Sequence, residues 1–314
     1  MNKQANQWDE NSVPDQQGKL ALITGANSGI GFEAARVLAQ RGAQVILACR
    51  NQDKAIQAMA RIRESAPKAQ LHFLPLDLSS QDSVHAMAEL FHEQYKELDY
   101  LINNAGVMWL PKSLTKDGFE AQIGTNHLGH YALTGLLLPA LLNKNGARIV
   151  TISSIAHRGG NIDFDDLFFE KRPYGKHKAY AQSKLANLVF AIELDRRLNQ
   201  HGAQTLSVAA HPGVANTNLA VPGFEQSKSG ILASAMKVLT PIVAQDTLKG
   251  ALPTLYAATE ANVKSGDYIG PTGFYEAFGY PGLARVARRA RNPDIGRRLW
   301  QESEKLTGIE YKFS

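Results

Sequence analysis

Thr24-Gly25-Ala26-Asn27-Ser28-Gly29-Ile30-Gly31 joins the apolar run Leu20-Ala21-Leu22-Ile23 to the helical pattern FEAARVLAQRG. Strand, glycine turn and helix follow one another without a gap. Glycine lets the backbone turn sharply and approach a ligand closely, and the unpaired N–H groups that open a helix attract negative charge. A glycine turn by itself suits a plain chain reversal as well as a phosphate. Its place at the first strand-to-helix junction favours a dinucleotide site, with Gly25, Gly29 and Gly31 as turn positions and Asn27, Ser28 and Ile30 between them.

The alternation continues outward. Strand-like runs at residues 44–49, 71–76, 100–102, 147–152 and 204–209 are each followed by a helical pattern, with no linker, repeat or low-complexity tract. Such a pattern predicts one α/β domain over residues 18–314, a Rossmann-type doubly wound, mostly parallel sheet of about seven strands with helices on both faces. Residues 1–17 are polar and read as an N-terminal arm or leader, in which Trp8 and Val13 are the candidates for docking on the body.

Composition narrows the class. The one cysteine, Cys49, excludes an intrachain disulfide and a multi-cysteine zinc site, and reads as a small core residue. No apolar stretch has membrane-spanning length and the N-terminus lacks the apolar segment of a signal peptide, so cytoplasmic residence is the default expectation. The net charge of +5 owes much to Arg285, Arg288, Arg289, Arg291, Arg297 and Arg298. Without interleaved aromatics or a nucleic-acid motif this cluster reads as a solvated helical face, and no nucleic-acid partner is expected. His127, His130, His157 and His211 show no ligand spacing, so no metal is expected.

Two features carry chemistry on their residues alone. Arg50 closes the second strand, where an acidic residue would bind the free ribose 2′-hydroxyl of NAD and an arginine pairs with the 2′-phosphate of NADP. NADP(H) is the expected cofactor; the plain alternative is that Arg50 points to solvent. Tyr180 and Lys184 open the helical run YAQSKLANLVFAIELDRRL one turn apart on one face. A phenol titrates near ~10, and a cation beside it is expected to pull that value toward neutrality, giving an acid suited to carbonyl reduction. Two surface residues on an amphipathic helix are the plain reading. Tyr174 and Lys178 share the spacing, but Pro173 and Gly175 work against a helix there.

The ordered set TGANSGIG, Asp77-Leu78, Asn103-Asn104-Ala105-Gly106, Asn126, Ser154, YAQSK and HPGVANT resembles the short-chain dehydrogenase/reductase family, over residues 18 to 275. The resemblance implies that Asp77 and Leu78 hold the adenine and that Asn104, Ala105 and Gly106 line the central stretch of the cofactor. It implies that Asn126 anchors a water relaying protons to Lys184, and that Lys184 hydrogen-bonds the nicotinamide ribose. Pro212, Gly213, Val214 and Thr217 would meet the carboxamide, Thr217 being the matched contact. From the residues alone, only one of Ser153 and Ser154 can face the cleft. The resemblance selects Ser154, to donate to the carbonyl oxygen as charge builds there.

Ser154 and Tyr180 stand 26 positions apart, about twice the spacing of many members. With Ala48-Cys49-Arg50 and QSKLAN, the insert resembles the branch of retinol dehydrogenases, WW-domain oxidoreductases and protochlorophyllide reductases. Its Phe164, Leu167, Phe168 and Phe169 suit a lipophilic pocket wall and equally the packing of an added loop. Residues 218–246 are apolar and broken by prolines, suiting a substrate lid or a peripheral helix. Both readings favour an apolar small-molecule substrate. The expected activity is NADP(H)-dependent interconversion of carbonyl and alcohol. Alternatives are reduction of a carbon–carbon double bond, and an NADP(H)-sensing regulator without turnover, which should lack Tyr180, Lys184 or Ser154; none is missing. Family members often pair through helices equivalent to residues 119–142 and 180–198, so a homo-oligomer is one expectation, although apolar faces there would exist in a monomer too.

Overall fold

Runs such as Leu20-Ala21-Leu22-Ile23, apolar at every position, cannot show one face to water, and they fold as strands covered on both sides. In the computed structural model, which describes residues 7–214 and 246–313, these are β1 (Leu20–Thr24), β2 (Gln44–Cys49), β3 (Leu71–Pro75), β4 (Tyr100–Asn103), β5 (Arg148–Ile152), β6 (Leu206–Ala210), β7 (Tyr268–Pro271) and β8 (Pro281–Leu283). Among the described residues they form one eight-stranded sheet in the order β3-β2-β1-β4-β5-β6-β7-β8, parallel except for β7 with β8. The sheet has an eighth, antiparallel strand beyond the seven expected: Pro281-Gly282-Leu283 lies at the edge, where a sequence with proline and glycine can pair. The sixth strand starts at Leu206 rather than Gln204. Thr217 and residues 218–245 of the segment assigned as a lid lie outside the described residues.

Alternation along each strand sorts the core into two layers. Ala21, Ile23, Val45 and Leu47 pack against α1 (Gly29–Gln40), α2 (Gln52–Ser65) and a later helix. Leu20, Leu22, Ile46 and Leu101 pack against α3 (Gln81–Gln94) and two later helices. The predicted single helix over residues 119–142 is three pieces: α4 (Ala121–Ile123), a π-turn at Gly124–Leu128, and α5 (Gly129–Leu142). Then come α6 (Lys176–Gln200), α7 (Thr247–Thr259) on the α1 face, and α8 (Pro293–Thr307) outside α6. α8 begins at a proline behind the Asn292 cap and ends at Gly308, whose φ of 70° is the left-handed conformation that closes a helix.

Both ends of the chain are pinned. Trp8 and Val13 are buried, Trp8 Nε1 donates to Glu260 at 3.0 Å, and Asp9 caps a short 3-10 turn. At the other end Tyr311 packs on Tyr131 and Trp300, with ring centroids 4.9 and 4.5 Å away. A Cβ on Gly135 of α5 would lie 2.6 Å from both Ile309 and Tyr311, so only glycine lets the tail lie this close.

The insert packs on the body. Phe169 is buried beneath Arg172, Phe168 meets Phe119, and Arg298 lies over Phe164 while pairing with Asp165. Arg289 donates to the Gly160 carbonyl. The arginine cluster is therefore not only a solvated face: two of its members hold the insert.

Candidate active site

The strand order reverses between β1 and β4, and the crevice at such a switch point is where an open α/β sheet takes its ligand. Thr24 ends β1, and its Oγ accepts the N–H groups of Asn104 and Ala105, both at 2.9 Å, while Asn104 Nδ2 donates to the Thr24 carbonyl. The glycine turn is pressed against this corner. Gly25 has a φ of 67°, and a Cβ on Gly31 would lie 2.4 Å from Asn104 Nδ2. Ser28, the exposed N-cap of α1, makes no side-chain capping bond, so its side chain satisfies none of the amides of the first turn. Cys49 is buried beneath the turn at the end of β2, and burial pushes its thiol up to about 11 against the pull of the Asn27, Ala26 and Gly25 backbone.

Arg50 follows β2 and is exposed. Asp77, at the end of β3, accepts from Ser79 N and Oγ. Its burial opposes ionisation, but the Ser79 bonds and the charges of Arg50 and Lys116 outweigh it and hold the carboxyl below its usual range. Leu78 is buried, its carbonyl 2.4 Å from where a Cβ on Gly129 would stand. The glycine turn, Arg50, Asp77, Leu78 and Asn104–Gly106 thus share the carboxyl edge of four neighbouring strands. Uncapped helix amides, a close-packed glycine corner and an exposed arginine fit a phosphorylated dinucleotide.

β5 ends at Ile152, and the two serines after it part ways. Ser153 is buried and donates to the Lys184 carbonyl at 2.7 Å. Ser154 accepts from Ala156 N at 3.2 Å, and its hydroxyl favours the ionised form of the Tyr180 phenol. Lys184, one turn on along α6, is buried; its Nζ donates to the Ile152 carbonyl at 3.1 Å and lies 5.9 Å from the Tyr180 ring centroid. Tyr174 stands before α6, its hydroxyl among Leu110, Glu120 and Gln122, so it does not share the Tyr180 geometry.

One expectation is reversed here. Lys184 does not draw the phenol toward neutrality: burial pushes Tyr180 up to about 12, the Ser154 hydroxyl only partly opposing it, and burial pushes Lys184 down to about 8. The ammonium lies 5.9 Å from the ring centroid, and desolvation disfavours both charged forms.

Asn126 sits in the π-turn, a distortion that often marks functional sites. Its Oδ1 accepts from Val107 N at 2.7 Å, and Nδ2 donates to Val107 O and Ser183 Oγ, each at 2.9 Å. The side chain ties the β4 loop to α6. A Cβ on Gly106 would stand 3.1 Å from Asn126 Oδ1 and 3.5 Å from Lys184 Nζ. Pro212 and Gly213 follow β6, Gly213 with a φ of 70°, and Val214 is exposed.

His130 has a place beside the site. It is fully buried, and burial lowers it to about 4, so it is neutral. Nδ1 lies 2.9 Å from the Asn126 carbonyl, which can only accept, so the proton is on Nδ1. Nε2 must then accept, and Thr24 Oγ at 2.9 Å donates to it. One imidazole links the end of β1 to the π-turn. His130 lies four positions after Asn126, the signal that would have paired them. His157 is likewise fixed: its Nδ1 donates to the Ser154 carbonyl at 2.6 Å and its Nε2 accepts from Ala287 N. Among the described residues no group of side chains could hold a metal ion, and no helix is long and apolar enough to cross a membrane.

The short chain dehydrogenase family profile matches residues 19–228. Human retinol dehydrogenase 12 is 42% identical over 297 residues, covering 94% of this chain and 88% of its own. Mouse polyprenol dehydrogenase is 37% identical over 302 residues, covering 94% and 86%. A crystal structure of a Mycobacterium paratuberculosis protein superposes with a TM-score of 0.81 at 39% identity, over 98% of this chain and all of that one. An Escherichia coli short chain dehydrogenase complexed with NADPH gives a TM-score of 0.59 at 25% identity, over 81% and 97%. With the switch-point crevice and a serine, tyrosine and lysine gathered beside it, these likenesses make the chain a member of the short-chain dehydrogenase/reductase family of oxidoreductases, in its retinol dehydrogenase branch.

Proposed function

We propose that this enzyme interconverts a carbonyl and an alcohol using NADP(H), with Tyr180 as the proton donor and acceptor. The observation that carries the reading is the convergence of three residues at the end of β5: Ser154 follows the strand, and the buried Lys184 donates to the Ile152 carbonyl at 3.1 Å while its Nζ lies 5.9 Å from the Tyr180 ring centroid. The bound nicotinamide supplies the hydride. Ser154 donates to the carbonyl oxygen, where negative charge accumulates. A phenol held near 12 is protonated throughout the neutral range and still gives its proton readily to an alkoxide, which is far more basic. Lys184 places a positive charge next to Tyr180 and Gly106, the side on which the resemblance puts the nicotinamide ribose.

NADP(H) rests on Arg50 at the end of β2 and agrees with the NADPH bound in the Escherichia coli relative. Asn126 braces the site, and Asp77, Leu78, Asn104, Ala105, Gly106, Pro212, Gly213 and Val214 line the cofactor. An apolar alcohol or aldehyde is the substrate class, in keeping with the retinol and polyprenol dehydrogenases among the relatives. The test is NADPH oxidation screened over aldehydes, ketones, retinoids and quinones with the wild type and Tyr180→Phe. The variant should bind NADPH normally and lose about 100- to 10,000-fold in kcat; near-normal turnover would end the proposal.

A further inference from the structure

Glu276 stands in the loop between β7 and β8, far in sequence from every motif above, yet its carboxylate reaches two walls of the site. Oε2 meets Arg158 Nη2 at 2.5 Å and His211 Nε2 at 3.3 Å, and Oε1 accepts from Arg285 N at 3.0 Å. Arg158 lies in the short helical turn that Ser154 opens, and His211 opens the loop that leaves β6. β5 and β6 are adjacent parallel strands, so these loops leave neighbouring carboxyl ends, the edge at which the sheet binds its ligand. One side chain therefore spans both walls.

His211 is held in a fixed tautomer beside the carboxylate. Gly213 N donates to its Nδ1 at 3.2 Å, which puts the ring proton on Nε2; that atom lies 3.3 Å from Glu276 Oε2 without forming a hydrogen bond. The ring lies flat on Gly270, where a Cβ would stand 2.0 Å from Nε2. The backbone beside the carboxylate is held in an unusual state. Tyr275 and Glu276 have φ values of 50° and 61°, consecutive left-handed residues without glycine. Burial of Tyr275 does not fix that turn, since the residue is 75% exposed. Strain of this kind persists where the surroundings over-determine it: backbone bonds from Thr272 N to Tyr280 O and from Gly273 N to Phe278 O close the loop, Glu276 ties it to Arg158 and Arg285, and the Ala277 carbonyl ties it to Val214 N at 2.8 Å.

We propose that Glu276 is a positioning residue for the reaction: by holding Arg158 and His211 it sets the gap between the Ser154 wall and the His211–Val214 wall, in which cofactor and substrate meet. The proposal rests on the reductase reading above. Three full-length variants test it. Glu276→Gln keeps the shape and removes the charge; Glu276→Asn, a residue that tolerates positive φ, removes the reach while easing the backbone; Tyr275→Gly eases the backbone and keeps the carboxylate. Amide hydrogen exchange, thermal midpoint, NADPH affinity and steady-state kinetics are measured for each. The first two should raise exchange in residues 155–160 and 211–214 together and lower kcat/KM about 10- to 100-fold. Glu276→Asn should keep the wild-type thermal midpoint, and Tyr275→Gly should match wild type throughout. Faster exchange confined to residues 272–285, or spread over the whole chain, overturns the proposal. Should wild type reduce no carbonyl compound, the reductase reading fails, while joint exchange of the two walls still decides whether Glu276 couples them.

Discussion

Tyr180 and Lys184 show how far a pair of residues can be read before the fold is known. Their spacing announced the juxtaposition, because positions four apart on a helix share a face. Their acidity could not be read that way, since it depends on β5, the β4 loop and the π-turn closing around them. The resulting values fix a pH dependence. The Lys184 value is depressed, so its ammonium is present below about 8 and is lost as pH rises through it, while Tyr180 stays protonated to about 12. In the reductive direction kcat/KM should be level from neutral pH to near 8 and then fall about tenfold per pH unit. A profile level to pH 10 would argue against a Lys184 charge that is needed for turnover and lost near pH 8. His130 offers a second residue-scale outcome. Replacing it with Phe removes the buried ring that bonds the Thr24 hydroxyl and the Asn126 carbonyl, at about 1–3 kcal/mol in all. Chemical denaturation should register the loss, and NADPH titration should show weaker binding because Thr24 also holds Asn104 and Ala105.

Among elements, the strands and helices that carry the cofactor edge were legible because each has a strong period and a clear boundary. What escaped notice was irregular. A π-turn adds one residue to a helical turn without disturbing an apolar pattern, so Gly124–Leu128 looks like ordinary helix in sequence. β8 is three residues long and contains proline and glycine. Glu276 gave no signal because its partners lie 118 and 65 positions away. The end of β2 carries a prediction at this scale. Arg50→Asp should remove a charge-assisted contact of about 1.5–3 kcal/mol, raising the KM for NADPH roughly 10- to 150-fold, with NADH becoming the better cofactor. An enzyme that keeps its NADPH preference after this change would refute the role given to Arg50.

At the scale of the whole molecule, the distinctive addition is the C-terminal cover. α8 and the tail lie over α5 and α6, with Trp300 packed among Tyr131, Phe190 and Tyr311 and beneath Arg197. On α5 and α6, the helices through which the resemblance implies that family members pair, Tyr131, Gly135, Phe190 and Arg197 meet the chain's own C-terminal segment. A second copy could use them only by displacing α8, so cross-linking between α5 and α6 of two copies should fail in the intact protein. Trp300→Ala should cost about 3–5 kcal/mol, read by denaturant unfolding, since it opens a cavity in a closed aromatic cluster. This cover was only half legible: the amphipathic last helix could be seen in the sequence, but not the surface it closes, because nothing local to residues 293–313 names Gly135 as the point of contact.

The buried thiol beneath the glycine turn gives the molecule its own clock. With a value near 11 and almost no exposure, Cys49 offers a thiol reagent neither thiolate nor access while β2 and the turn stay together. As the one cysteine in the chain, its labelling rate measures how often the nucleotide edge comes apart. Saturating NADPH should slow that rate in proportion to the share of molecules it holds closed, a measurement that needs no substrate.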